Sequence, residues 1–298
     1  RVGYLFCPEL VQAANLLQSN PGRSSYVHSL VHAYGLDRAL HILPAIPASD
    51  AQLRQFHRDD YVAFTQYRRD VERFNLSNDC PVFAGMEAYV RWVAGSTILA
   101  ARHLLYSDFD VVINWDGGRH HSKAAEASGF CYVNDIVLGI NELLTHHDRV
   151  LYVDLDIHHG DGVEAAYRQS DRVMTVSFHR YDGQFFPKTG HTAEHGVGRG
   201  AGFALNVPLR SGLRGEALVP FYTTVMDEVL AAFRPGAIVI QCGADGMAGD
   251  PLGGKWNLDM ISYTKCVMHL VNQNRPALVL GGGGYSRTIC ARTWTFLT

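Results

Sequence analysis

The feature that most restricts how this chain folds is the recurrence of short apolar runs rich in Val, Ile and Leu, at residues 2–6, 111–115, 149–155, 173–178, 237–242 and 277–280. Runs that stay apolar at successive positions, instead of alternating with polar ones, fit strands buried on both faces. Between them, residues 86–106, 135–144, 218–233 and 258–271 carry apolar positions at helical spacing. Strand and helix alternating over the whole length predict an α/β fold: a single doubly wound, mostly parallel sheet with helices on both faces. No repeat or low-complexity linker interrupts the 298 residues, so 1–298 is expected to form one domain.

Composition narrows the function classes. Apolar residues make up 47% and charged residues 18%, enough apolar surface to offset the entropy of ordering a large core. The formal charge of −3, with Lys and Arg spread along the chain, provides no basic stripe, so direct nucleic-acid binding is not expected. The six cysteines are scattered without a CxxC pair, which fits reduced thiols in a cytosolic or nuclear protein. No signal-peptide core or apolar run of spanning length is present, so no membrane association is expected. The chain begins at Arg1 without a methionine and stops at Thr298 inside an ordered-looking segment, so both natural ends are expected to be missing.

The segments just past the strands are more informative than the strands themselves. DGGRHH comes after the second run, DLDIHHGDG leaves the third, GADGMAGDP succeeds the fifth and GGGGY the sixth. Ligand sites in open α/β sheets form outside the carboxyl ends of strands, so these loops are expected to converge on one pocket. Asp154, Asp156 and His158 sit at spacing two, on one face of an extended backbone. Each alone reads as a cap or loop hydrogen-bonder. Together at the end of a buried strand they place charge against a core, which a cation would compensate. Asp250, in the AGDP turn, is the candidate third ligand. Three protein ligands leave positions open for water and substrate, as in a catalytic zinc site, though an oxygen-rich set suits Fe(II) or Co(II) as well.

His120 and His121 lie just past a strand end and are candidates for general base and acid, with Asp154 and Asp161 as carboxylates that orient their rings. The alternative is an incidental HH pair in a loop. Tyr285, delivered by Gly281 to Gly284, is a candidate to donate its O–H to a tetrahedral oxyanion; the alternative is a buried tyrosine with a satisfied hydroxyl.

These motifs, in this order, resemble the class I zinc-dependent histone deacetylases of the arginase/deacetylase superfamily. The likeness is carried by VINWDGGRHHSKAAEASGFCYVNDIVLGI at 112–140, RVLYVDLDIHHGDGVEAAY at 149–167, RVMTVSFH at 172–179, FFPKTG at 185–190, CGADGMAGDPLGG at 242–254 and GGGGYSRTICARTW at 281–294. It implies hydrolysis of the acetyl amide of acetyl-lysine, in histone tails or other proteins, with release of acetate. Asp156, His158 and Asp250 would bind zinc, Tyr285 would polarise the acetyl carbonyl, and His121 would be the main base and acid with His120 as electrostatic partner.

Carried over in the same way, Phe130 and Phe186 wall the lysine slot beside Gly129, Asp79 grips the substrate backbone, and Arg23 lines a cavity for released acetate. Structural potassium is implied at Asp154, Ser177 and Phe178, with backbone of Asp156 and His158, and at a second site formed by Tyr167, Ser170, Val173 and Phe203. A nuclear location, with cytoplasmic as the alternative, and chromatin-associated partners are implied by the same resemblance. An acetylpolyamine-type amidohydrolase and a catalytically weak acetyl-lysine-binding scaffold are the competing readings.

Three departures stand out. Where class I members usually have Trp or Leu before the histidine pair, this chain has Arg119, expected to pair with Asp116 three residues earlier. An unpaired, inward Arg119 would instead favour an acidic acyl group or weaken the basicity of metal-bound hydroxide. PLGGKWNL after Asp250 is one residue longer than the usual pattern, and SNPGR at 19–23 lacks the lysine that corepressor-bound members use for inositol phosphate.

Overall fold

The computed structural model describes residues 1–67 and 71–298. Eight strands, β1 (Val2–Leu5), β2 (His41–Leu43), β3 (Val111–Asn114), β4 (Val150–Asp154), β5 (Val173–Arg180), β6 (Ala204–Leu209), β7 (Ala237–Gln241) and β8 (Ala277–Leu280), form one sheet in the order β2-β1-β3-β8-β7-β4-β5-β6. Every adjacent pair is parallel. Around it lie helices α1 (Pro8–Ala14), α2 (Arg23–Ala33), α3 (Asp50–Leu53), α4 (Asp59–Tyr67), α5 (Met86–Tyr106), α6 (Asp135–Leu143), α7 (Asp161–Tyr167), α8 (Gly215–Phe233), α9 (Met260–Val271) and α10 (Arg287–Leu297).

The unbroken apolar character of the inner strands has its reason in two-sided burial. Along β4, Leu151 and Val153 enter a core with α8, α9 and α10, whereas Val150 and Tyr152 enter another with residues of α5 and α6. Each face of the sheet is therefore capped by helices, the arrangement that parallel strands require. No helix among the described residues is long and apolar enough to cross a membrane.

The six expected strands are present with ends shifted by no more than two residues, and the four expected helices by no more than three. Two edge strands escape a reading of the sequence. The three-residue β2 is largely exposed, and β6 contains Pro208, a residue that argues against a strand except at an edge.

Candidate active site

The strand ends are level with one another. Asp154 closes β4 and stands in register with Gln241, which closes β7, and with Ser177 of β5. Gln241 is level with Leu280 of β8, and Leu280 with Asn114 of β3. The loops that leave this row start side by side, at the edge where parallel sheets bind ligands.

In the loop after β4, the Asp156 N–H donates to Asp154 Oδ1 (3.1 Å) and the His158 N–H to Asp156 Oδ1 (3.0 Å). Carboxylates that accept a backbone N–H two residues on curl the chain, which turns Asp156 and His158 toward the same point. There His158 Nδ1 lies 3.0 Å from both Asp156 Oδ1 and Asp245 Oδ2. The three side chains are buried, with ligand atoms all within 4.8 Å of one another. Among the described residues this is the one group of three or more His, Cys, Asp or Glu side chains with ligand atoms that close together.

The third member is thus Asp245 and not the expected Asp250. The Asp250 carboxylate is already engaged: Oδ2 accepts the N–H of Tyr285 (2.7 Å) and of Ser286 (3.3 Å), and Oδ1 that of Leu252 (2.9 Å). Asp250 fastens the turn that carries Tyr285. Asp245 has a signal in the sequence that is easily overlooked. It stands four residues after Gln241, as His158 stands four after Asp154, and those two strand ends are level in the sheet.

The chemistry of this set fits a divalent cation. Burial and the neighbouring Asp156 charge push the Asp245 carboxyl up to about 7, while His120 and His158 hold Asp156 ionised against its own burial. Two enclosed carboxylates and an imidazole nitrogen about one hydrogen bond apart are spaced as ligands around an ion with bonds of about 2.0–2.2 Å. Close support comes from Gln241, whose Nε2 donates to Asp156 Oδ2 (2.9 Å), and from the Gly283 N–H (2.8 Å). Gly283 must be glycine, because a Cβ there would lie 2.1 Å from Asp245 Oδ2. Gln241 was not among the expected site residues either, its signal being a polar residue closing an apolar run.

His120 and His121 stand beside the cluster, each on a carboxylate. His120 Nδ1 is 2.8 Å from Asp154 Oδ2, and His121 Nδ1 is 2.7 Å from Asp161 Oδ1. Burial would lower His120, but Asp154 and Asp156 outweigh it and hold the ring up to about 9. Burial, reinforced by the His120 charge, pushes His121 down to about 4. The two rings are thus biased in opposite directions, His120 toward the cation and His121 toward the neutral imidazole. With His121 Nδ1 donating to Asp161, its Nε2 lone pair is the proton acceptor.

Above the cluster opens a cavity of about 330 Å³ lined by Asp79, Gly129, Phe130, Phe186, His158 and Tyr285, among others. Phe130 lies 5.6 Å from the Tyr285 ring and Phe186 5.0 Å from the His121 ring, centroid to centroid. Gly129 and Phe130 both take left-handed backbone angles, φ +52° and +64°, which turn the Phe130 ring into the cavity wall. A Cβ on Gly129 would sit 2.3 Å from the His121 ring. Asp79 accepts the Gly129 N–H at the rim (2.7 Å). Burial, then the Asp245 and Asp156 charges, keep the Tyr285 hydroxyl protonated and a donor. Larger hollows of about 420 and 430 Å³ exist elsewhere, but neither borders Asp156, His158 or Asp245.

Arg23 is buried under the glycine turn, where its Nη1 donates to the carbonyls of Gly282 (2.9 Å) and Gly284 (3.0 Å). Asp154 also accepts the Tyr152 hydroxyl (2.6 Å), and the Ser177 hydroxyl meets His179. Phe178 and Val173 are buried in β5, Phe203 packs beneath the sheet, and Ser170 N–H bonds the Tyr167 carbonyl (2.8 Å). Arg119 departs from its expected pairing. Its Nη2 donates to the backbone carbonyl of Asp116 (3.2 Å), because the Asp116 carboxylate is held by His28 Nε2 (3.0 Å).

The sequence matches the histone deacetylase domain over residues 17–298. It is 47% identical over 287 residues to histone deacetylase 19 of Arabidopsis thaliana and 45% identical over 287 residues to histone deacetylase 1 of Homo sapiens, each alignment covering 93% of this chain. To histone deacetylase 8 of Danio rerio it is 44% identical over 305 aligned residues, covering 100% of the chain. The chain spans 57% of the Arabidopsis protein, 59% of the human one and 80% of the zebrafish one.

Proposed function

The chain belongs to the histone deacetylase family, and on that footing we propose that residues 1–298 act as one catalytic unit, a metal-dependent hydrolase that removes acetyl groups from lysine side chains of histones or other proteins. The observation that carries this reading is the convergence of Asp156 and Asp245 on His158, which together with His121 and Tyr285 lines an aromatic-walled cavity. The family likeness and this full set of groups favour it over an acetylpolyamine hydrolase or a binding scaffold.

Asp156, His158 and Asp245 would hold zinc, with Fe(II) or Co(II) suited to the same donors. Bound there, the ion supplies Lewis acidity to the acetyl carbonyl and to water. Phe130 and Phe186 flank the lysine stem, an apolar slot matched to a methylene chain. Asp79 stands at the rim to accept from the substrate backbone. His121, neutral and oriented by Asp161, takes a proton from the attacking water. His120, charged on Asp154, offsets negative charge as it develops on the acetyl oxygen, and the Tyr285 hydroxyl donates to that same oxygen. His121 then returns the proton to the lysine nitrogen, and acetate departs past Arg23.

Structural potassium at Asp154, Ser177 and Phe178, and again at Tyr167, Ser170, Val173 and Phe203, belongs to this proposal. So do a nuclear or cytoplasmic setting and chromatin-associated partners. The test is turnover of an acetylated histone peptide with metal content measured on the same sample. Metal-dependent release of acetate is expected, and Tyr285→Phe should lower kcat about 10²–10³-fold with metal retained. Full activity in Tyr285→Phe, or after complete metal removal, would sink the reading.

A further inference from the structure

Behind Tyr285 lies a second, smaller hollow, in which the deacetylation reading gives Arg119 no task. Ser19, Asn20, Arg119, Phe130, Cys131 and Tyr285 are among its lining residues, and it shares Gly129, Phe130 and Tyr285 with the main cavity. It is a hollow of about 10 Å³, room for a single water.

Its electrostatics are unusual for an interior. Arg119 and Arg23 are only 5% and 3% exposed, and among the described residues neither forms a salt bridge. Arg23 has two backbone carbonyls and the face of Trp294, 4.7 Å from its guanidinium carbon. Arg119 has one carbonyl, that of Asp116, and its Nε has no partner. The hydroxyls of Ser19 and Tyr89 are likewise buried and unpaired. Burial would lower Arg119, but the surrounding Tyr89, Cys131, Asp135 and Asp116 hold it above its ordinary value, so the guanidinium stays charged there. The two cations feel each other: burial, and after it the Arg119 charge, pull Arg23 below its ordinary value. An enclosed guanidinium short of hydrogen bonds is costly unless an anion joins it, and a carboxylate matches its planar fork.

We propose that Arg119, with Arg23 behind it, forms a buried carboxylate subsite at the acyl end of the active site, so that the preferred substrates are lysines bearing a short acyl chain that ends in a carboxylate, malonyl above all. This rests on the deacylase reading given above. An acyl group whose carbonyl meets Tyr285 directs its next carbon toward the shared wall of Gly129 and Phe130. One oxygen of a carboxylate one carbon further fits the water-sized space beside Arg119, with the rest of the acyl group in the main cavity, while a longer chain meets a closed wall. The reaction is otherwise unchanged: water adds hydroxyl to the acyl carbon and a proton to the lysine nitrogen, and malonate leaves as the dianion.

The test compares kcat/KM for one peptide carrying malonyl-lysine or 3-methylbutyryl-lysine, its neutral isostere, in the chain, in Arg119→Leu and in Arg119→Lys. A preference for malonyl of tenfold or more is expected in the chain, lost in Arg119→Leu and partly kept in Arg119→Lys. A second measurement avoids turnover. Sodium acetate should raise Tm above the value in sodium chloride of equal ionic strength, and should not do so in Arg119→Leu. Equal malonyl preference in the chain and Arg119→Leu overturns the subsite, as does an acetate effect that survives Arg119→Leu. Acetate stabilisation that depends on Arg119, in a chain that hydrolyses no acyl-lysine, upholds the subsite while overturning the deacylase reading.

Discussion

Asp245 and Asp250 lie five residues apart on one loop, yet their carboxylates do different work because their hydrogen bonds differ. Asp245 uses one oxygen to fix the Ile157 N–H (3.1 Å) and leaves the other against His158 Nδ1, aimed at the point shared with Asp156. Asp250 gives both oxygens to backbone N–H groups of its own turn and of the Tyr285 turn. Replacing one should therefore not imitate replacing the other. Asp245→Asn is expected to remove stoichiometric metal after dialysis, since a neutral amide replaces an anionic ligand. Asp250→Asn should keep the metal and lose roughly 10–100-fold in kcat as Tyr285 loosens, the range typical of residues that orient a functional group. Metal analysis beside steady-state kinetics separates the two, and loss of metal in Asp250→Asn alone would restore Asp250 as the ligand.

At the scale of elements, the inner sheet was legible and its rim was not. Strands such as β4 and β8 are buried at every position, so their sequence stays apolar until the end, which falls at Asp154 in β4 and at the glycine run in β8. β2 and β6 are edge strands whose pairing depends on neighbours distant in sequence, and no local pattern records that. The same limit explains the site. Asp156, His158 and the histidine pair announce themselves in local motifs, whereas choosing between Asp245 and Asp250 requires the register of β4 against β7. Helix α6 offers a prediction of its own. The backbone N–H of its N-cap, Asn134, donates to Nε2 of the buried His57 (3.0 Å), and burial pushes that ring from 6.5 down to about 4. Below pH 6.5 the unfolded chain binds a proton that the folded chain refuses, so stability falls as pH drops from about 6.5 toward 4. The loss from this residue amounts to about 2 kcal/mol by pH 5. Urea unfolding of His57→Gln, which keeps an acceptor for Asn134, should show a shallower decline between pH 7 and 5; parallel curves would refute the assignment.

For the whole molecule, the site is a device that ties distant parts of the chain together. Asp156 and His158 leave β4 and Asp245 leaves β7, so a cation at their meeting point bridges two strands that no single local segment brings together, while the Gly283 N–H, just after β8, braces Asp156. Without the cation, Asp245 resists ionisation beside Asp156, a cost that a divalent ion removes. The unfolded chain has no such arrangement, so metal affinity becomes folding stability. Free Zn(II) at 100 times its dissociation constant should add about 2.7 kcal/mol, raising Tm by several degrees in a chain of this size. The increment should vanish in Asp245→Asn, where the bridge to β7 is cut, and persist in Asp250→Asn. A Tm that rises equally with zinc in both variants would place the ion elsewhere and detach stability from the site. If the rise is confined to chains with Asp245 intact, the ion that would serve the chemistry also joins the central strands of the sheet.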